Sequence, residues 1–352
     1  MANITDVAKL AGVSHQTVSR VLNDEGTVRP VTRARVDAAI KELNYRPSAA
    51  ARALATRKTR TIGLVATGSP LYGPSSTMLA FNEAARAAGY QVTIASMATA
   101  DAGAMVAAVD VLLGQSIEAL VVIVADVAAF EAMEVLEVGV PLIAVESSGR
   151  PNLFSVSIDQ FEGARLAVRH LVELGHRRIL HVRGPEGSID ADERERGWRA
   201  ELAAHGLPAP DPLVGSWLPA SGFALGERLG LDGLGVDGRT GTTAIFSGND
   251  QMALGLLHAL DSAGVRVPDD VSVVGFDDVP EAAHFLPPLT TVRQDFTGLG
   301  ARLMATVLAV LDGRPPDAPV RTEPVLVVRA STASPRVPEP SRTPLPNREV
   351  EA

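Results

Sequence analysis

From Thr61 to Val328 the chain alternates short apolar runs with longer stretches of helical periodicity, and this rhythm restricts its fold more than any other feature. Candidate strands are Thr61–Ala66, Gln91–Ser96, Ala119–Val124, Leu142–Val145, Ser155–Ile158, Ile179–Val182, Ala244–Ser247 and Val271–Phe276. Helices such as Ser75–Ala88, Ala102–Leu113 and Asn249–Ala263 lie between them. Strand and helix in alternation build parallel sheets with helices on both faces. A break near residue 160 divides the run into two sheets. After Pro287-Pro288 a strand (Leu289–Arg293), a helix (Phe296–Leu311) and a last strand (Pro324–Val328) remain, and the chain is expected to cross back to the first sheet. One subdomain is thus expected over residues 61–160 with 290–320, and the other over 161–289 with 321–331. Ligands in such sheets bind beyond the carboxyl ends of the strands, here in the crevice between the two units.

About 270 residues between the head and Ser331 suit one large or two smaller compact units, and 46% apolar content supplies their cores. The chain has no cysteine, hence no disulfide framework and no thiolate metal site. Its seven histidines do not cluster at metal-ligand spacing, and no cofactor is expected. Neither a secretory leader nor an 18-residue apolar run is visible, so a cytoplasmic, nucleoid-associated protein without a membrane partner is expected. Residues 332–352, rich in Pro, Arg and Glu, read as a disordered tail.

The first sixty residues differ in kind. They hold eleven Lys/Arg against five Asp/Glu, whereas the rest of the chain holds 21 against 36. A basic head on an acidic body points to a polyanion as the head's partner. Val18, Val21 and Leu22 form an apolar stripe that can pack on Val7, Leu10 and Ala11 of a preceding helix. Gly12 suits the tight connection, and Ser14 can cap the second helix. Thr32 is the expected cap of a third helix carrying Val36, Ile40 and Leu43. His15, Gln16, Ser19 and Arg20 are left facing outward. Arg can grip guanine and Gln adenine through paired hydrogen bonds; a solvated helix face is the alternative, against which stand the tight turn, the basic flank and the third helix.

The runs Asn3-Ile4-Thr5-Asp6-Val7-Ala8, Ala11-Gly12-Val13-Ser14, Thr17-Val18-Ser19-Arg20-Val21-Leu22-Asn23 and Leu43-Asn44-Tyr45-Arg46-Pro47 resemble the head of the LacI/GalR family of bacterial transcription repressors. The resemblance implies a DNA-binding head over residues 1–47 that reads operator DNA through Ser14, His15, Gln16, Thr17, Ser19, Arg20, Asn23, Thr32 and Tyr45. It also implies a hinge helix within 48–60, formed when two subunits sit on the operator, with Leu54 as a minor-groove wedge. Ala49–Ala55 has good helix formers but is too short to be stable alone; by composition it is equally a plain linker.

The resemblance continues along Leu171–Ile179, Asn249–Gly255 and Val271–Asp278, and through Pro287–Phe296, closer to the galactoside-responsive members than to the purine-responsive ones. It implies the fold of periplasmic sugar-binding proteins, two doubly wound subdomains joined by three crossings. It implies sugar contacts from Glu146, Arg194, Trp217, Asn249, Asp277, Gln294 and Phe296. Carboxylates and amides grip vicinal hydroxyls while an aromatic face stacks on the ring. Singly, Asn249 reads as an N-cap, Trp217 as core and Arg194 as part of a surface charge run; jointly they point to a sugar. Glu146 stands where the galactoside-responsive members carry the shorter Asp, and Gly68 replaces a serine in a loop one residue shorter, so a galactoside is expected, with a related hexoside or another plant-derived oligosaccharide open.

The expected protein is a repressor that binds a palindromic operator as a homodimer and is released by a sugar inducer, the alternative being a corepressor-dependent regulator. A dimer is expected because the tail lacks the leucine heptad of tetrameric members, Leu345 being its single leucine. An enzyme is disfavoured: GxSxG, Walker and HExxH motifs are absent, and Gly233-Leu-Gly235-Val-Asp-Gly238 lies between a helix and a strand, the reverse of a dinucleotide site. His176 reads as a capping or surface residue.

Overall fold

The computed structural model describes residues 2–22, 28–45, 58–67, 71–97, 101–134, 138–148, 154–233, 241–316 and 318–336. The chain divides into two compact units, a head and a body.

The head is built from three helices, α1 (Ile4–Ala11), α2 (His15–Leu22) and α3 (Pro30–Glu42). Asn3 caps α1 in a capping box with Asp6. Gly12 ends α1 at φ +63°, and a Cβ there would lie 2.5 Å from the Arg35 guanidinium, which donates to the carbonyls of Ala11 and Gly12. Ser14 caps α2 as expected, its Oγ accepting from the Thr17 amide at 3.2 Å. Val7, Ala8, Ala11, Val18, Val21, Val36 and Ala39 close the core. Two expectations change. Leu10 is 46% exposed, and Ala8 takes its place, because a close crossing of short helices favours the small side chain. Thr32 is not the cap of α3: Arg29 takes that place, three residues earlier, with Pro30 at the first helical position, where a missing amide costs nothing.

The body contains two six-stranded sheets. The first has the order β11-β5-β4-β3-β1-β2, from β1 (Thr61–Thr67), β2 (Gln91–Met97), β3 (Ala119–Ile123), β4 (Leu142–Val145), β5 (Phe154–Ile158) and β11 (Val320–Thr322). Its helices include α4 (Tyr72–Ala87), α5 (Ala102–Leu113), α6 (Val127–Glu134) and α11 (Phe296–Leu311). The second sheet runs β12-β10-β9-β8-β6-β7, from β6 (Ile179–Arg183), β7 (Leu213–Val214), β8 (Ala244–Ser247), β9 (Ser272–Asp277), β10 (Thr290–Arg293) and β12 (Val325–Val327). It carries α7 (Gln160–Glu173), α8 (Ile189–Ala204), α9 (Pro219–Gly233) and α10 (Asp250–Ser262). β12 runs antiparallel to β10, while the other registered pairs are parallel. β3 is buried at all five positions, as a central strand covered on both faces must be.

The chain crosses between the sheets three times, after β5, after β10 and after β11. The expected subdomain boundaries shift accordingly. β10 pairs with β9 in the second sheet, not the first, and β11 pairs with β5 in the first. A further expectation fails at the end of the body. Residues 332–336 are not a free tail: Ala333 donates its amide to Ser272 Oγ, Thr332 bonds His170, and Arg336 pairs with Asp269 and Asp270. The segment continues the pairing of Ser331 with Val273 and so satisfies backbone groups on the second sheet. His176 is not at the surface either; it is buried between Thr243 Oγ1, Ser272 Oγ and the Ala333 carbonyl, and burial lowers its pKa. Residues 337–352 with Leu345, and the loop residues Gly235–Gly238 and Gly68, lie outside the described residues.

Candidate functional site

A cavity of about 670 Å³ lies between the two sheets of the body, at the carboxyl ends of their strands. All seven residues expected to hold an effector line it: Glu146, Arg194, Trp217, Asn249, Asp277, Gln294 and Phe296. They reach it from several different elements. Glu146 follows β4, Arg194 projects from α8, Asn249 precedes α10, Asp277 ends β9, and Gln294 and Phe296 lie where the chain leaves β10 for α11. Arg194 therefore sits buried on a helix and is not part of a surface charge run.

The floor is a buried polar network. Arg194 donates through Nε to Gln160 Oε1 at 2.9 Å and through Nη1 to the Gly248 carbonyl. Its Nη2 lies 3.5 Å from Asp277 Oδ1, which also accepts from Gln294 Nε2 at 2.6 Å. Gln160 Nε2 donates to Gln294 Oε1 at 2.9 Å, so the first two crossings are hydrogen-bonded to each other beneath the cavity. The guanidinium stacks 3.8 Å from the Phe276 ring centroid and 5.3 Å from that of Trp217. Burial raises the Asp277 carboxyl to about 6 even though Arg194 opposes the shift. Asp250, buried behind it and bonded by the Val279 amide and Thr291 Oγ1, is pushed well up by burial and then by the neighbouring charge of Asp277.

Aromatic surfaces flank this network. Trp217 packs so closely on the backbone of Gly184 that a Cβ there would lie 2.1 Å from its ring. Its φ of +69° is a strained conformation costing about 1–3 kcal/mol, and its carbonyl accepts from Asn249 Nδ2 at 3.1 Å. Asn249 also caps α10 through Oδ1 to the Met252 amide, so the capping and cavity-lining readings both describe it. Tyr72 and Phe296 meet edge to face at 5.6 Å on the opposite wall. Glu146 accepts from the amide of Ser148 at 2.7 Å and from its hydroxyl. The larger carboxylate thus folds back onto its own loop.

Several lining residues were not expected from the sequence. Gln160 joins the crossings, Tyr72 completes the aromatic wall, and Ser147 and Asp190 bond each other across the cavity at 2.6 Å. Beside that pair, residues 125–127 meet residues 187–189 through Val127 N to Gly187 O at 2.9 Å and Ile189 N to Ala125 O at 3.3 Å. Among the described residues, no group of acidic and histidine side chains is arranged to hold a metal. Nor is any helix among them long and apolar enough to cross a membrane.

In the head, Ser14, His15, Gln16 and Arg20 are exposed, with Thr17 and Ser19 half-buried beside them on α2. Ser14 Oγ and Thr17 Oγ1 lie 3.0 Å apart. Thr32 is half-buried in the first turn of α3, and Tyr45 packs against the core, its amide bonded to the Ile40 carbonyl. Asn23, Leu54 and most of the expected hinge lie outside the described residues.

Residues 3–48 match the bacterial regulatory proteins of the lacI family, and residues 168–332 match the periplasmic binding protein-like domain. The chain is 34% identical over 339 residues to the lactose operon repressor of Escherichia coli (strain K12), spanning 94% of this chain and 92% of that protein. It is also 34% identical over 340 residues to the HTH-type transcriptional repressor PurR of Pectobacterium atrosepticum, spanning 95% and 97%. The crystal structure of the lac repressor dimer bound to operator and the anti-inducer ONPF aligns with a TM-score of 0.83 at 34% identity, covering 94% of this chain and 99% of that one. The transcriptional regulator CelR in complex with cellobiose aligns at 0.67 with 30% identity, covering 94% and 100%. These relatives are regulators of transcription and not enzymes. With its head and body matched in one chain and nearly its whole length shared with known repressors, the protein belongs to the LacI family of DNA-binding transcriptional repressors.

Proposed function

We propose that the protein binds a palindromic operator as a homodimer and is released from it by a sugar, a galactoside or related hexoside, bound in the cavity of the body. The observation that carries this reading is the pairing of the Arg194, Asp277, Gln294 and Gln160 network with the Trp217 ring in one cavity. Paired carboxylate, amide and guanidinium groups suit vicinal hydroxyls, and the indole face suits the C–H side of a pyranose. Charge narrows the class. Asp126, Glu146, Glu186, Asp190 and Asp277 line the cavity, while Arg194 is the one cationic side chain among the described lining residues and is already engaged. A phosphate or carboxylate would enter against that excess of like charge, so a neutral polyol is favoured over sugar phosphates. Structural relatives include complexes with ONPF and with cellobiose.

The switch proposed is linkage. The sugar favours one arrangement of the two subdomains and disfavours the hinge conformation in which Leu54 wedges into the minor groove, so DNA and sugar weaken each other's binding by the same factor. Arg20, Gln16 and His15 read the half-site, while Ser14, Thr17, Ser19, Asn23, Thr32 and Tyr45 set the head on the backbone. The similarity to PurR gives a second reading, a purine base acting as corepressor.

A thermal-shift panel of galactosides, cellobiose, glucose 6-phosphate and purine bases tests the assignment. A ligand at a hundred times its dissociation constant stabilises by about 2.7 kcal/mol. Stabilisation by a neutral sugar, abolished in W217A, is expected. Stabilisation by a purine base alone favours the second reading, and stabilisation by the phosphate alone contradicts the charge argument.

A further inference from the structure

The Asp277 carboxylate is one residue away from a second anchor outside the cavity. Asp277 (φ +112°) and Asp278 (φ +53°) both have positive φ, a backbone that residues with a Cβ hold when their surroundings enforce it. Asp278 supplies that enforcement. Its Oδ2 accepts from Arg293 Nε at 2.6 Å and its Oδ1 from Arg329 Nη2 at 2.6 Å. Arg329 is itself fixed, through Nη1 to the Leu289 carbonyl at 2.7 Å and through its amide to Thr290 Oγ1 at 2.9 Å. In the parallel pairing of β9 with β10, Arg293 stands opposite Asp277. The next residues then make two divergent contacts: Gln294 reaches Asp277 in the cavity, and Arg293 reaches Asp278 outside it.

We propose that Arg329 and Arg293 are positioning residues for the effector site: by gripping both oxygens of Asp278 they lock the positive-φ pair and hold the Asp277 carboxylate inside the cavity against Arg194 and Gln294. Neither arginine lines the cavity. Arg329 has 17% of its side chain exposed and Arg293 57%, so Arg329 is the stronger of the two. Arg329 lies just past β12, on the segment that follows the third crossing, which ties the chain beyond that crossing to the side chain beneath the ligand. The inference rests on reading the cavity as the effector site, but its primary readout needs no effector.

That readout is the titration of Asp277 in full-length protein labelled with ¹³C-aspartate, its carboxyl signal assigned by loss in D277N. The charged groups around it are Arg194, Asp190 and Asp250. Burial pushes the wild-type carboxyl up to about 6, and its midpoint is expected there. In R329M the positive-φ pair relaxes, the carboxylate reaches water, and its midpoint is expected to fall by at least one pH unit toward the ordinary value of about 3.9. R293M shifts it less, and R329K restores part of the difference. D278N, which keeps a residue tolerant of positive φ but removes the charge, gives the same test if R329M does not fold. An Asp277 midpoint unchanged in R329M and D278N, with a lowered melting temperature alone, overturns the proposal. A shifted midpoint in a protein that binds no sugar refutes the sugar assignment and leaves the clamp standing.

Discussion

The hydroxyl of Ser147, just after β4, donates to Asp190 Oδ1 in the first turn of α8 at 2.6 Å, joining the two halves of the body across the cavity. The backbone contacts between residues 125–127 and 187–189 lie alongside. A cavity bridged by side chains from both halves can be loosened without touching its floor. In a double-mutant cycle of S147A and D190A, the coupling in thermal unfolding is expected to be about 1.5–3 kcal/mol, typical of a hydrogen bond to a charged acceptor. Additivity within about 0.3 kcal/mol would show that the pair does not hold the halves together.

Asp277 makes stability depend on pH in a defined direction. Its folded pKa of about 6 exceeds the unfolded value of about 3.9, so the folded state binds the proton more tightly. The stabilisation is fully present below about 3.9 and is lost as pH rises through about 6. Two pH units correspond to on the order of 3 kcal/mol. Wild-type protein is expected to gain stability relative to D277N between pH 7 and pH 4.5, as denaturant melts at the two pH values measure. A constant difference between the two proteins would place the Asp277 carboxyl in water.

His181 acts in the opposite direction. It is fully buried against Phe246, with ring centroids 4.6 Å apart; its Nδ1 donates to the Phe246 carbonyl and its Nε2 has no partner among the described residues. Burial lowers its pKa to about 3. A folded pKa below the unfolded value of about 6.5 gives stability that is complete above 6.5 and lost as pH falls toward 3. H181F keeps the ring stacking and removes the proton acceptor. It is expected to unfold less readily than wild type at pH 4.5 in chemical melts, with a smaller difference at pH 7.5.

Arg20 is exposed on α2 with His15 and Gln16. R20A is expected to lose about 1–3 kcal/mol of specific operator binding and to relax one base position of the half-site. Equal loss on non-specific duplex would make Arg20 a phosphate contact.

The strands and helices legible in the sequence are those whose burial repeats over several residues. β3 reads as an unbroken apolar run because both its faces are covered, and α5 was visible over its full length, Ala102–Leu113. β7 and β11 are two and three residues long, too short for any period to show, so the expected third crossing, between residues 320 and 321, falls inside β11. The seven residues expected to hold an effector were identifiable through motif resemblance, and all of them line the cavity. Ser147, Asp190 and Gln160 were not, because each is defined by a partner 43 or 134 positions away and by no local pattern. His176 reads from the sequence as a capping or surface residue, yet Ser272 of β9 on one side and the C-terminal segment on the other bury it.

The central claim, that occupancy of the cavity governs the head, is tested most directly by operator affinity. The duplex is the site that the full-length protein selects from a randomised pool, titrated with and without a saturating neutral sugar that stabilises the protein. The account predicts that affinity falls about 5- to 150-fold, the usual span of an allosteric coupling, and that D277N no longer responds. Operator affinity unchanged at saturation with every compound that binds the cavity would contradict it.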